Sequence, residues 1–259
     1  MLYFKYIRMV IRSLFQYRFS LWMGIIGQFL VAFFTFIGIA LLFERFGSLA
    51  GWTFPEVALC YAVTHISFAV SECVGQGFNL FSTMIVKGDF DRIILRPRTM
   101  LLQILGSGFE ISRVGNLVQG GVILCIALSG LETAWDASKI ITLIGMILAG
   151  IAIFTGILIA GSAICFFTIE GLEVVNIFTY GGQETASYPL PIYGKALARF
   201  FTFVIPFAGM NYLPLLYITG RAADHLLLYM MSPLMAIPFL GICILIWNRA
   251  AKHYSSTGA

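Results

Sequence analysis

Four polar side chains, His65, Glu72, Gln76 and Asn79, interrupt an apolar segment at intervals of seven, four and three residues. On a helix those intervals put all four on one face. A carboxylate and an imidazole on one face can relay protons, as in an ion-driven transporter, or can be hydrogen-bonded structural groups. Either way the face must look into protein or a wet cavity, because a carboxylate against lipid is costly. A second polar stretch runs Lys87-Gly88-Asp89-Phe90-Asp91-Arg92-Ile93-Ile94-Leu95-Arg96-Pro97. Gly88 and Asp89 can open a short helix, with the carboxylate at its positive end. Pro97 disfavours helical geometry at Arg96 and so ends it. The product is a short helix carrying Phe90, Ile93 and Ile94 beside charges of both signs, which is docking chemistry.

Other chemistries are absent from the sequence. A phosphate loop needs a lysine after its last glycine; the nearest approach, Gly115 to Gly120, continues with Gly121 inside an apolar run, so the chain is not expected to hydrolyse ATP itself. There is no H-E-x-x-H and no G-x-S-x-G. The histidines (His65, His225, His253) are too dispersed for a metal site, and none is expected. Five cysteines, none in a C-x-x-C pair, read as small buried hydrophobes.

These residues must be positioned by membrane-spanning helices. The chain is 59% hydrophobic and only 11% charged, against roughly 25% charged in soluble domains. The apolar residues form blocks: Phe19 to Phe43 has Gln28 as its one strongly polar group, and Ile140 to Phe167 carries no charge. Such blocks exceed the roughly 18 residues needed to cross a bilayer, and only helices satisfy their own backbone there. The expected fold is therefore an all-α polytopic membrane protein, one domain over residues 1–259. Basic clusters at Lys5–Arg18, Lys87–Arg98 and Arg249–Lys252 mark a common cytoplasmic face, with both termini on it. These clusters match topology rather than nucleic-acid binding.

Residues 3–16 read as an amphipathic interfacial helix with Lys5, Arg8, Arg12 and Gln16 on one side, rather than as a cleaved signal. The second span opens at Thr53 with a capping box to Glu56 and Pro55 in the first turn. The third covers about Val114–Leu131, with Glu110 paired to Arg113 near its start. In the fourth, Ala152, Gly156 and Ala160 form a small-residue face for helix packing. Residues 168–220 leave two arrangements open: a polar loop at 168–199 followed by a kinked span at 200–218, or a span at 168–186 followed by a re-entrant hairpin at 187–220. Either gives six spans, ending with Leu226–Trp247.

The sequence resembles the permease subunits of ATP-binding-cassette exporters, the type-2 (ABC-2) branch of about 260 residues. The residues that carry the resemblance are K-G-D-F-D-R-I-I-L-R-P at 87–97, Gly51-Trp52-Thr53 with Glu56, Y-P-L-P-I-Y at 188–193, Phe203 to Pro206, Asn211 to Pro214, and Tyr254 to Gly258. Gly194 and Ile94 depart from it. The resemblance implies a half-transporter without bound cofactor, in a bacterial cytoplasmic membrane, paired with a second permease (the same chain or a relative). Two cytoplasmic ATPase subunits would carry the ATP and Mg. Residues 1–18 would be the connecting helix. Residues 87–98 would be the coupling helix, with Lys87, Gly88, Asp89, Phe90, Asp91, Arg92, Ile93, Arg96 and Pro97 seating in the ATPase. The resemblance also favours a re-entrant 187–220, holding Tyr188, Pro189, Pro191, Pro206, Asn211 and Pro214. Two rivals are a proton-coupled transporter using Glu72 and a non-transporting accessory or immunity protein.

Overall fold

The computed structural model describes residues 7–9, 12–13, 15–168, 172–222 and 225–254. Half of the 1–18 connecting helix, Glu170 and the Ser255–Gly258 tail lie outside them. Among the described residues the fold is helical, with one isolated bridge between Leu49 and Trp52. The long helices are α1 (Arg18–Phe46), α2 (Phe54–Asn79), α6 (Val114–Gly130) and α7 (Ala137–Ile164). Short helices α3 (Phe81–Val86), α4 (Asp89–Ile94) and α5 (Met100–Leu105) lie between α2 and α6. After α7 come α8 (Leu172–Ala186), α9 (Lys195–Phe203), a π-helical turn (Ala208–Tyr212), α10 (Leu213–Ile218), α11 (Leu226–Met231) and α12 (Ala236–Ala250).

Burial separates the centre from the rim. In the most apolar stretch of Phe54–Val86, 83% of residues are buried, against 17% in Phe15–Phe46. Helix α2 is therefore the hub, packed by α6, α7 and α8, whereas α1 leaves Phe19, Val31 and Phe34 exposed to lipid. Its start is the capping box anticipated from Thr53 and Glu56, with Pro55 in the first turn. Asp136 caps α7 by accepting from the Lys139 N–H at 2.9 Å. That bond and the Ser138 hydroxyl hold its carboxyl below the usual carboxylate range.

The hub works because its neighbours come close. A Cβ on Gly77 would lie 1.8 Å from the Ile104 carbonyl, and one on Gly150 would lie 2.4 Å from Ser67 Oγ. Serines exploit the approach: Ser67 donates to Ile147 O and Ser71 to Ile151 O, both at 3.0 Å, stitching α2 to α7. Interhelical hydroxyl bonds of this kind hold helices where lipid gives no hydrophobic drive. The small-residue face of α7 is used as expected at Gly156, which meets Phe239 and Cys243 of α12.

Among the described residues five helices are long and apolar enough to span a membrane. Residues 195–203 and 208–218 form a further pair bent by 85°, with Pro206 in the break. The loop alternative for 168–199 fails across Leu172–Ala186, which is helix packed against α7 and α2. Asn176, Gln183 and Glu184 depress its hydropathy, yet the buried one, Gln183, serves as a partner for His65 of α2. Helices α3 and α5 and the Pro233 turn that divides the last span were not anticipated; each interrupts a segment whose hydropathy is uniform.

Gly77→Ala is expected to destabilise the detergent-solubilised protein by upward of about 2 kcal/mol, since a backbone carbonyl cannot yield. Gly121→Ala has open space and should be neutral or about 1 kcal/mol stabilising. Equal unfolding midpoints for the two variants would contradict this packing.

Candidate functional site

The polar face of α2 is real, but its partners are not those its own sequence offers. Glu72 is buried and meets Arg113 at the start of α6, Nη2 to Oε2 3.1 Å. The same carboxylate oxygen accepts from Asn79 Nδ2 at 3.0 Å, and Asn79 reaches Gln76 at 3.2 Å. Arg113 also donates to the Tyr180 hydroxyl on α8 at 3.0 Å. Its guanidinium lies 5.9 Å from the ring centres of both Phe68 and Tyr180. The anticipated Glu110–Arg113 pair exists, at 3.8 Å, as the weaker of the two. One cation therefore ties three helices and serves two carboxylates. Around it a cavity of 310 Å³ is lined by Glu72, Gln76, Asn79, Asn176 and Tyr180, among others.

His65 does not join Glu72. Its ring stacks on Tyr61, 3.8 Å between centres, and its nitrogens lie 3.3 Å from Gln183 Nε2 on α8. The relay reading needs these two groups connected, whereas the structure places them two turns apart on separate partners. Tyr180 and Gln183, three residues apart on α8, are the residues the sequence reading missed; their spacing on one face is the signal that could have found them.

A second polar junction is centred on Thr64, next to His65. The Asn211 amide, in the π-helical turn, donates to Thr64 Oγ1 (2.7 Å), Ala186 O (2.6 Å) and Cys60 O (3.3 Å). Thr64 in turn donates to Ala186 O at 3.0 Å. Irregular backbone is thus held by protein, the condition for its presence at membrane depth. Pro206 is buried in the break and Pro214 lies in the first turn of α10. Pro189 is buried and Pro191 exposed around the turn Leu190–Ile192, with half-buried Tyr188 packed against the main core. At the far end of α2, Arg221 pairs with Glu56 at 2.8 Å and lies 4.7 Å over the Trp52 ring.

The 87–98 segment has two unlike faces. Gly88, at φ 70°, turns the chain into α4. Phe90 is fully buried, edge-on to Phe81 (5.1 Å) and Tyr254 (4.9 Å), and Ile93 is buried beside it. Asp91 faces inward as well: its Oδ1 accepts from the Tyr254 hydroxyl at 3.0 Å. Burial and that carboxylate push the Tyr254 phenol above its ordinary range, so it stays a donor. Gln103 of α5 donates to Ile93 O and Arg98 O, fixing the end of α4. Lys87, Asp89, Arg92, Leu95, Arg96 and Pro97 are left exposed. Ile94 is exposed too and does not extend the Phe90–Ile93 ridge.

Removing one partner of a buried ion pair strands the other, at a cost of about 3–5 kcal/mol. Arg113→Gln is expected to destabilise more than Glu72→Gln, because it strands Glu72 and Glu110 together while Glu72→Gln leaves Arg113 with Glu110. Unfolding midpoints of the two variants and the double variant measure this; the reverse order would contradict the assignment.

The family model described as ABC-2 family transporter protein matches residues 29–258, from within α1 to the C-terminal tail. No curated protein and no solved structure matches the chain. A match over that much of the sequence, on a bundle of apolar membrane-length helices, makes the chain a member of the ABC-2 transporter family, a permease-type membrane transporter.

Proposed function

We propose that the chain is the membrane-spanning subunit of an exporter driven by two separate cytoplasmic ATPase subunits, in which α4 is the coupling helix. The observation that carries this reading is the division of α4 into a face locked into the permease and a face left free. Phe90, Ile93 and Asp91 anchor it, while Asp89, Arg92, Leu95 and Arg96 are available to a soluble partner. A six-residue helix clamped on one side can pass displacement to α2 through α3. ATP and Mg would reside on the partner, and ATP must favour one permease conformation over the other for transport to follow.

The exposed side of α8 supports pairing with a second permease, a copy or a relative. Asn176, Tyr180 and Glu184 recur every four residues on that side, and such groups belong against protein or a wet path rather than acyl chains. The 85° break at 204–207 and the buried amide of Asn211 support a re-entrant reading of 187–220, entering from the face opposite α4. Basic residues at both ends of the chain favour cytoplasmic termini in a cytoplasmic membrane. Glu72, held by Arg113 and Asn79, is poorly placed to cycle protons, which weighs against a proton-coupled transporter.

Reversing both Asp91 and Arg92 would mix two effects, since Asp91 is an internal anchor. Arg92→Glu with Leu95→Asp alters only the exposed face. That variant should keep the wild-type unfolding midpoint yet lose ATPase co-purification, or lose coupling of ATP hydrolysis to transport. Tyr254→Phe, which keeps the ring and removes the Asp91 bond, should retain the ATPase and lower coupling. Unchanged coupling in both variants would count against the assignment.

A further inference from the structure

A cavity of 550 Å³ lies between the start of α5 and the C-terminal end of α12, apart from the polar face of α2. Arg98 and Thr99 line it ahead of α5, and Asn248 and Lys252 line it at the end of α12. Among the described residues no carboxylate lines it and neither cation has an ion-pair partner. The cavity wall includes Leu101 and the indole of Trp247. Trp247 is 1% exposed, and among the described residues its Nε1–H has no acceptor. Two cations without ion-pair partners, beside Thr99 and Asn248, form a site for a compact oxyanion.

We propose that this cavity binds the phosphodiester headgroup of an anionic phospholipid. The lipid source follows from position. The cavity closes the polar end of a membrane-length helix whose outer surface presents Ile242, Leu245 and Ile246, 49–58% exposed. A headgroup between Arg98 and Lys252 lays its acyl chains along that apolar track, which a soluble phosphate cannot use. Basic pockets between spans at the membrane surface recognise such headgroups through charge and donors together. The site also adjoins α4, because Gln103 ties both Ile93 O and Arg98 O. Bound lipid therefore steadies the linker that carries the lever.

The test uses the full-length chain, purified, delipidated and given equal phosphatidylglycerol and phosphatidylcholine, with retained lipid counted by native mass spectrometry. Wild type should retain phosphatidylglycerol preferentially. Arg98→Gln with Lys252→Gln should lose that preference by roughly 25-fold, two basic groups each contributing roughly a factor of five at a membrane surface. Arg98→Lys with Lys252→Arg should restore it, and an unfolding midpoint for each variant separates lost binding from lost folding. Excess inorganic phosphate should leave the retained lipid in place. Equal retention of the two lipids by wild type, an undiminished preference in the glutamine variant, or displacement by phosphate would each overturn the proposal.

Discussion

A carboxylate and a guanidinium buried together in a membrane bundle are stable only while each keeps the other, and Glu72 and Arg113 impose that condition on three helices at once. The pair contributes little net stability by itself, because desolvation offsets most of the attraction. Its effect is on arrangement. Helix α6 cannot slide along α2, and α8 cannot leave, without stranding a charge or the Tyr180 hydroxyl bond. Ser67 and Ser71 add fixed register against α7, and Tyr61 donates to Ala32 O of α1. Helix α2 is thereby a spine to which α1, α6, α7 and α8 are each pinned by at least one directional bond.

The spine has a distinct fitting at each end. At one, Glu56 is shared between the helix cap and Arg221, which joins the start of α2 to the segment beyond the π-helical turn. At the other, α3 and the cluster of Phe81, Phe90, Phe166, Trp247 and Tyr254 join α2 to α4 and to the end of the last span. Displacement of α4 therefore reaches α3 and the segment after α12 directly, since Phe90 touches the rings of Phe81 and Tyr254, and through Phe81 it reaches Trp247 of α12. A close-packed interior of this kind passes rigid displacement more readily than it deforms. This arrangement suits a transporter of the ABC-2 family in which the permease itself performs no nucleotide chemistry.

Much of this was legible in the sequence. Lipid makes spans long and uncharged, so α1, α2, α6, α7 and the last helix could be found by hydropathy, and Thr53 with Glu56 marked a start to within a residue. The turn at Gly88 and the stop before Pro97 were local backbone effects and were equally visible. Partner choice across helices was not. Glu72 lies seven residues from His65 and 41 from Arg113, and nothing in the spacing says which it meets. Helix α8 was obscured because the groups that lower its hydropathy include those that bind α2. The inward turn of Asp91 was hidden for the same reason: its partner, Tyr254, is 163 residues away.

The central claim is that α4 is gripped by the permease on one side and offered to a soluble motor on the other. Site-specific photocrosslinking in native membranes tests it most directly, with a photoreactive side chain placed in turn at Leu95 and at Phe90. The account predicts an adduct between this chain and a nucleotide-binding subunit from Leu95, and only intrachain products from Phe90. An ATPase adduct from Phe90, or none from Leu95 in membranes that contain the assembled transporter, would contradict it.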